Sequence, residues 1–295
     1  MRDTFKTCHP IVNFTFFCIV ILCGMFFMHP VLLSISVLSA FFYSLYLNGR
    51  KALKFNLIFL FPIVITVSLI NPLFNHRGMT ILGYFMDNPI TLESIYYGMA
   101  SGLMIAAIIL WFSCYNAIMT SDKFIYLFGR IAPALSLIFS MVLRFVPKFR
   151  TQIITISNAQ KCIGRDMSNG TYIERIRHGI KILSIMVTWA LENAIETSDS
   201  MRSRGYGLKG RTSFSIYRLD KRDKGLILVI MALTVVLATG ATAGQTSIQY
   251  FPSIKIADIS GFSILIYSAY FLLCFIPIIL NVAEEVKWHY FQSRI

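Results

Sequence analysis

Long, nearly uncharged apolar runs are the feature that most constrains this sequence. Six of them reach spanning length, at about residues 10–28, 30–48, 54–71, 95–119, 225–244 and 262–283. A helix needs about 20 mostly apolar residues to cross a bilayer, where every backbone polar group must be bonded internally. Charge is scarce too, since 14% of residues are charged against about a quarter in soluble domains. We therefore predict an all-α, polytopic membrane helical bundle of about six spans.

The distribution of basic residues predicts how these spans are oriented. With the N-terminus in the cytoplasm, every lysine and arginine except Arg77 and Lys255 falls on the cytoplasmic side. Cytoplasmic loops carry an excess of Lys and Arg, and the opposite orientation would invert this bias. We predict a multi-pass protein of the cell membrane with both termini cytoplasmic. The net charge of +13 then reflects topology and contact with anionic lipid, and not nucleic-acid binding.

This topology divides the chain into three regions. Residues 1–119 hold the first four spans, residues 120–224 form a cytoplasmic segment, and residues 225–295 hold the last two spans and a tail. Within the segment, the apolar stretch 131–146 is short for a span, carries Arg144 and is flanked by prolines at 133 and 147 that kink or end helices. We predict a helix at the inner membrane interface that ends near residue 147, with re-entrant insertion as the alternative.

Two further helices are predicted in the cytoplasmic segment. From Phe149, apolar residues recur on one helix face, and Gly164 is a natural left-handed stop. The motif Thr-Tyr-Ile-Glu at 171–174 fits a capping box, which predicts the start of a second helix of about thirty residues that ends at Gly205. Its middle, 182–191, is apolar nearly all round, so we expect it to be packed on two sides.

The ends of these two helices share a pattern. Residues 159–166 read Ala-Gln-Lys-Cys-Ile-Gly-Arg-Asp, and residues 200–207 read Ser-Met-Arg-Ser-Arg-Gly-Tyr-Gly. In both, a small residue stands two before the glycine and an arginine stands beside it. A small residue and a glycine leave room for another backbone, and arginine can make a forked bond to a carboxylate. Ordinary helix capping accounts for the same residues, so the pattern by itself leaves docking and capping open.

In context, the second pattern carries a family resemblance. Ser-Arg-Gly-Tyr-Gly after a long amphipathic helix resembles the second Ala-Arg-Gly signature of the T component of energy-coupling factor (ECF) transporters. The segment 159–164 falls where that family has its first signature. Asn-Pro-Leu-Phe at 71–74, Gly78 and Ile-Thr-Leu-Glu at 90–93 resemble the loop between the family's third and fourth helices. The resemblance covers about residues 50–225.

The resemblance implies a non-catalytic membrane scaffold that couples two cytoplasmic P-loop ATPases to a small membrane subunit capturing a vitamin or a transition-metal ion. The implied ATPase-docking residues are two tripeptides, Ser203, Arg204 and Gly205 at one site and Cys162, Ile163 and Gly164 at the other. Ile163 stands where the family has arginine, and Cys162 and Ser203 replace alanine. Arg165, one residue beyond Gly164, is a candidate source of the missing charge.

The absence of several catalytic motifs from the sequence supports a non-catalytic scaffold whose partners hydrolyse ATP. The chain has no G-x-x-x-x-G-K-[ST] phosphate loop, so ATP and Mg would be used by the partner ATPases. It lacks H-E-x-x-H and G-x-S-x-G motifs, and its cysteines and histidines are scattered, so we expect no catalytic residue, bound cofactor or metal. The alternative function is a stand-alone permease that binds its own solute within the bundle. The few polar groups in the spans argue against it.

Overall fold

A computed structural model gives the fold of residues 3–85, 88–129, 132–165, 170–208, 217–256 and 260–292. The chain divides into two compact units. The bundle unit comprises residues 1–124 and 217–295, and the inserted unit comprises residues 125–216. Within the described residues, both units are mainly helical, and strands occur only as two short antiparallel hairpins in the bundle unit.

The bundle unit contains the apolar helices. Its elements before the insertion are α1 (Thr4–Thr7), α2 (Pro10–Phe26), α3 (Pro30–Asn48), α4 (Arg50–Phe55), a π-helical stretch (Asn56–Leu60), α5 (Phe61–Phe74), strands β1 (Ile81–Phe85) and β2 (Asn88–Thr91), and α6 (Leu92–Ile118). Helix α7 (Ser121–Gly129) leads out of the bundle unit. After the insertion follow α10 (Lys221–Thr242), strands β3 (Ile248–Gln249) and β4 (Lys255–Ile256), and α11 (Gly261–Gln292).

Five helices in the described part of the chain are long and apolar enough to cross a membrane, by length and composition. They are Pro30–Asn48, Ala52–Phe74, Leu92–Ile118, Lys221–Thr242 and Gly261–Gln292. Pro10–Phe26 is equally apolar but shorter, at 17 residues. These six helices match the six predicted spans to within a few residues, except that α11 continues beyond its span. The predicted all-α, polytopic membrane bundle is confirmed.

Aromatic side chains fill the core of the bundle unit. Phe16, Phe17 and Trp111 are almost fully buried, and the Phe16 and Trp111 rings meet edge to face with centroids 5.8 Å apart. The indole Nε1 of Trp111 donates to Ser36 Oγ at 3.0 Å, so the polar end of the ring is satisfied. In lipid, such packing and internal hydrogen bonds hold helices together, because apolar burial alone gives little advantage over contact with the acyl chains.

Glycines allow α6 to approach α5 closely. A β-carbon added at Gly98 would lie 2.8 Å from the Ser68 carbonyl oxygen, and one at Gly102 would lie 3.0 Å from the Val64 carbonyl oxygen. The two glycines are four residues apart on one face of α6, which is the spacing that brings membrane helices together. A larger residue at either position would collide with the backbone of α5, which cannot move aside as a flexible side chain can.

Replacing Gly98 with leucine is therefore expected to destabilise the bundle by about 1–3 kcal/mol, because α5 must move away from α6. Thermal unfolding of the purified chain in mild detergent measures this loss. Gly225→Leu in α10 is the matched control, since a β-carbon at Gly225 meets nothing within 4 Å. Equal melting temperatures for the two variants would contradict the close contact.

The inserted unit is a pair of long helices, α8 (Pro133–Cys162) and α9 (Tyr172–Ser203), joined by a short connection. The buried apolar core of this pair consists of Ile156, Ile182 and Met186. The Phe149 and Trp189 rings meet edge to face with centroids 5.6 Å apart. Lys148 Nζ lies 5.2 Å from the Trp189 ring centroid and donates to Asn193 Oδ1 at 2.5 Å. Aromatic packing and a cation–π contact thus complete the core.

The predicted helix boundary near residue 147 is wrong. Helix α8 runs without interruption through Pro147, so the predicted interfacial helix and the first predicted cytoplasmic helix are one element of 30 residues. A proline removes one backbone donor and kinks a helix, but it does not have to end it. Pro72 and Pro277 likewise lie inside helices of the bundle unit. Residue 131, at the start of the predicted interfacial stretch, lies outside the described residues.

The middle of α9 is packed on only one of the two predicted sides. Ile182 and Met186 are buried against α8, whereas Leu183, Val187 and Leu191 are 54–63% exposed in this single chain. The two helices form one interface, and α8 covers one face of α9. The opposite face is therefore an exposed apolar surface.

Trp189→Ala is expected to destabilise the inserted unit by about 2 kcal/mol, because it removes the ring contacts with Phe149 and Lys148. Hydrogen exchange of α8 and α9 amides, followed by mass spectrometry, measures the local loss. Tyr172→Ala is the matched control, because Tyr172 lies on the same helix and is 83% exposed. If both variants leave α8 and α9 equally protected, the assigned core is incorrect.

Candidate docking site at the helix ends

Helix α8 ends at Gly164, as the sequence predicted, and the structure shows that this end is a Schellman cap. Gly164 has φ +76°, and its amide donates to the carbonyl three residues earlier at 3.0 Å. The Arg165 amide donates to the Gln160 carbonyl at 2.9 Å, which completes the motif. A β-carbon at Gly164 would meet nothing within 4 Å, so the backbone conformation requires glycine here and crowding does not.

Helix α9 ends in the same cap. Gly205 has φ +79°, and its amide donates to the Arg202 carbonyl at 2.9 Å, while the Tyr206 amide donates to the Met201 carbonyl at 3.0 Å. The last helical residue, Ser203, donates its hydroxyl to the Ser200 carbonyl at 2.9 Å. Both predicted glycine stops are confirmed, and both caps fix the backbone that follows the helix.

The two caps place the predicted tripeptides in equivalent positions. Cys162 and Ser203 are the last helical residues, Ile163 and Arg204 are the C-cap residues, and Gly164 and Gly205 follow in the left-handed conformation. Side chains at both C-cap positions are exposed, 65% in the case of Ile163. Arg165 is also exposed, but it stands two positions after the C-cap, where the second cap has Tyr206.

The same cap also ends α10 in the bundle unit. Gly244 has φ +75°, and the Gln245 amide donates to the Gly240 carbonyl at 3.1 Å. Cap geometry is therefore shared by helix ends for which no docking role is predicted. What distinguishes the ends of α8 and α9 is the combination of the cap with a preceding small residue and an exposed arginine.

The two capped ends lie on opposite sides of the contact between α8 and α9. The later part of α8 packs against the middle of α9: Lys148 contacts Asn193, whereas Ile156 packs with Ile182. The pairing runs in opposite directions along the two helices, so they are antiparallel and their C-termini point away from each other. At 1.5 Å per residue, the first end lies about 10 Å beyond Ile156 and the second about 22 Å beyond Trp189. The structure therefore presents two separate surfaces and does not bring the two tripeptides together.

The start of α9 is fixed by the predicted capping box. The Thr171 amide donates to Glu174 Oε2 at 2.9 Å, and the Thr171 hydroxyl donates to the same oxygen at 2.9 Å. These bonds from Thr171 hold the pKa of the exposed Glu174 carboxyl below its usual value. Helix α9 is thus ordered at both ends by local hydrogen bonds, which suits a rigid element.

One face of α9 is apolar and exposed along most of its length. Its large side chains recur every three or four residues and are all more than half exposed: Ile173, Ile176, Ile180, Leu183, Val187, Leu191 and Ile195. This face is opposite to the face that packs against α8.

Sequence reasoning missed the residues that join the two helices of the inserted unit. Lys148, Trp189 and Asn193 form the polar edge of the contact, and the Asn193 amide also donates to the Trp189 carbonyl at 3.1 Å. The available signal was the spacing of Ile182, Met186, Trp189 and Asn193, which recur at intervals of four, three and four residues. This spacing could not be singled out because the same helix carries a second apolar face with similar spacing.

The loop motif that contributed to the family resemblance is built around a buried carboxylate. Glu93 is 3% exposed, and its Oε1 accepts from the amides of Met79 and Thr80 at 3.3 and 3.2 Å. Gly78 is required for this approach, because a β-carbon there would lie 2.5 Å from Glu93 Oε2. The Thr91 hydroxyl donates to the Arg77 carbonyl at 3.0 Å. The motif residues therefore hold the loop against the start of α6.

A bundle of helices long and apolar enough to cross a membrane, with a long helical pair inserted between them in the sequence, defines a multi-pass helical membrane protein. A protein-family model for the CbiQ family, described as cobalt transport protein, matches residues 5–214. The chain belongs to this family, and the predicted resemblance to ECF T components is confirmed. Both candidate helix ends lie within the matched region.

Several curated proteins have similar sequences. The energy-coupling factor transporter transmembrane protein EcfT of Lactobacillus helveticus is 38% identical over 90 residues, which cover 30% of this chain and 32% of that protein. The protein of the same name from Lactococcus lactis subsp. cremoris is 34% identical over 104 residues, covering 35% and 39%. The uncharacterized protein MG181 homolog of Mycoplasma pneumoniae is 31% identical over 100 residues, covering 33% and 23%. The alignments therefore span about a quarter to two fifths of these relatives.

Proposed function

We propose that this chain is the transmembrane energy-coupling component of an ECF-type importer. The observation that carries the proposal is the pair of equivalent capped helix ends within the region matched by the family model. Similarity to proteins named EcfT supports the same role. The chain acts as a non-catalytic scaffold, and ATP is hydrolysed with Mg by two cytoplasmic P-loop ATPases, one at each helix end.

The end of α9 is the stronger of the two docking sites. Arg204 is exposed at the C-cap, where its guanidinium can make a bidentate bond to a partner carboxylate. The small Ser203 and the capped Gly205 leave space beside it for the partner's backbone. The rigid cap keeps these three residues in one arrangement, so that little conformational entropy is lost on docking.

The end of α8 offers the second ATPase a different surface. An isoleucine, Ile163, is exposed at the C-cap, and the charge comes from Arg165 two residues later. Cys162 and Gly164 supply the small residue and the turn. A contact here combines apolar burial by Ile163 with the guanidinium of Arg165, which makes the two docking sites chemically unequal.

Helix α9 is well suited to transmit motion between partners. It has 32 residues, and at 1.5 Å per residue it is about 48 Å long. A stiff helix held at one end by an ATPase moves as a unit when that ATPase moves. The third partner is a small membrane subunit that captures a vitamin or a transition-metal ion, and the scaffold passes the ATPase motion to it.

The placement in the cell membrane follows from charge. Lys and Arg concentrate in segment 120–224, which contains the inserted unit, and this bias supports a cytoplasmic location for the segment and for both termini. Segments 1–119 and 225–295 form the membrane bundle on either side of it. The docking sites are then on the side of the membrane where ATP is available.

Affinity purification in mild detergent, followed by mass spectrometry, tests the proposed function. The expected result is that two P-loop ATPase subunits and one small membrane protein are recovered with the chain in fixed ratios. A chain that is recovered without ATPases, and that binds a small solute when purified alone, would instead be the stand-alone permease. The measurement gives the same answer whichever substrate is transported.

A further inference from the structure

The segment that precedes α2, residues 3–9, is bound tightly into the bundle unit. Asp3 accepts from Tyr43 Oη at 3.1 Å and from Asn281 Nδ2 at 2.7 Å, while the Thr4 amide donates to Asn281 Oδ1 at 2.8 Å. Phe5 is fully buried and meets the Tyr43 ring edge to face. The segment is thereby attached to α3 and α11, both of which are membrane-spanning helices.

A buried lysine attaches the same segment to α7. Lys123 is 5% exposed, and its Nζ donates to the Lys6 carbonyl at 2.5 Å. When the Asn13 amide is oriented to satisfy its neighbours, Asn13 Oδ1 accepts from Lys123 Nζ at 2.8 Å and Asn13 Nδ2 donates to the Phe5 carbonyl at 3.0 Å. Burial lowers the pKa of the Lys123 ammonium, and neutral oxygens compensate for the lost water.

A third attachment joins the segment to α10. The His9 amide donates to Asp223 Oδ1 at 3.4 Å, and Asp223 is 6% exposed. The second oxygen of Asp223 accepts from the Asp220 amide at 3.4 Å in the capping box that starts α10. The carboxylate therefore links residues 3–9 to the first turn of this spanning helix.

These attachments coincide with the two places where the chain passes between its units. Residues 121–124 lead from the bundle unit into the inserted unit, and residues 217–223 begin the return to α10. Lys123 lies in the first connection and Asp223 at the end of the second. One short segment thus contacts both connections and, through Asp3 and Asn281, the wall of the bundle.

We propose that residues 3–9 act as a tether that fixes both connections to the bundle, and that Lys123 is the positioning residue of the first connection. Movement of the inserted unit can reach the bundle through these connections, because they join the two units along the chain. If the connections were flexible, they would deform when the inserted unit moves, and less of the movement would reach the bundle. A tether that fixes the connections therefore increases the amount of substrate transported per ATP hydrolysed. This last consequence rests on the proposed coupling function, whereas the tether itself does not.

Lys123→Met tests the tether, because it keeps the length of the side chain and removes the ammonium. Hydrogen exchange of the purified chain in mild detergent is the first measurement. We expect amides in residues 4–9 and 121–129 to exchange about ten-fold faster or more, since a buried charged donor is lost. Lys6→Met is the matched control: the Lys6 side chain is exposed and its backbone carbonyl is retained, so exchange stays at the wild-type rate.

The second measurement is uptake per ATP hydrolysed in the reconstituted complex. The tether predicts that Lys123→Met lowers this ratio while ATP hydrolysis continues, and that Lys6→Met leaves it unchanged. Wild-type exchange rates in Lys123→Met would overturn the tether. Faster exchange with an unchanged ratio would overturn the positioning role. If wild-type protein recruits no ATPases, the coupling function fails, while the exchange measurement still decides the tether.

Tyr43→Phe provides a second variant if Lys123→Met does not fold. It removes one hydrogen bond to Asp3 and retains the buried ring. The tether predicts faster exchange in residues 4–9, by a smaller factor than for Lys123→Met. Unchanged exchange in this variant would overturn the attachment of the segment to α3.

Discussion

Arg204→Glu is expected to weaken binding of the ATPase at the end of α9 by about 30-fold or more. Losing one partner of a buried, hydrogen-bonded charge pair costs about 2–5 kcal/mol, and about 1.4 kcal/mol corresponds to a factor of ten. The new carboxylate also repels the partner carboxylate and places negative charge at a helix C-terminus, where the helix dipole disfavours it. The amount of ATPase recovered with the tagged chain measures the effect, and substrate uptake should fall with it.

Arg177→Glu is the matched control for this reversal. Arg177 is exposed on the same helix, in its first two turns, and it lies far from the docking end. Both variants change the net charge by the same amount, so a general electrostatic effect on the ATPases would appear in both. Unchanged melting temperatures show that the bundle is intact. If Arg204→Glu retains ATPase association and uptake, the coupling role of the second motif is wrong.

The spans were predictable because the bilayer sets their length and composition. In lipid, a run of about 20 apolar residues can satisfy its backbone polar groups within the segment only as a helix. Accordingly, the starts of α3 and α11 lie within a residue of the prediction. Helix ends in the inserted unit were equally readable. Gly164, Gly205 and the capping box at 171–174 are local signals, and each depends only on residues within one or two helical turns.

The continuity of α8 was not predictable, because proline has two outcomes in a helix. Pro147 removes a donor, and whether the chain continues depends on the tertiary contacts on each side. Here Phe149 and Ile156, which follow the proline, pack against α9. The presence of the proline, and therefore the loss of one helical hydrogen bond, can be read from the sequence. The packing contacts that offset this loss involve residues of α9 about 35 positions away, and these contacts cannot be read from the local sequence.

The packed face of α9 was ambiguous for a related reason. Its middle is apolar nearly all round, so periodicity indicates a helix without saying which side meets α8. Residues 3–9 illustrate the same limit at long range. Lys123 and Asp223 are ordinary charged residues in the sequence, and their burial against this segment follows only from the folded bundle.

At the end of α8, Arg165→Glu is expected to weaken binding of the other ATPase about ten-fold or more. The physical reason is that Arg165 is an exposed cation two residues after the C-cap of α8, and reversing it opposes a partner carboxylate. Mass spectrometry of the copurified subunits identifies which ATPase is lost, and it should be the one that Arg204→Glu retains. Arg150→Glu, on an exposed position in the middle of α8, is the matched control.

Ile163→Arg decides which position of the first cap supplies the charge. The C-cap of α9 carries arginine and the C-cap of α8 carries isoleucine, so this change makes the two caps alike. If Arg165 already satisfies the partner carboxylate, a second cation gains little and the loss of isoleucine removes apolar contact, so binding weakens or stays the same. If the partner carboxylate faces the C-cap instead, Ile163→Arg strengthens binding and Arg165→Glu has little effect. The two variants therefore give opposite results under the two arrangements, and the role assigned to Arg165 requires the first.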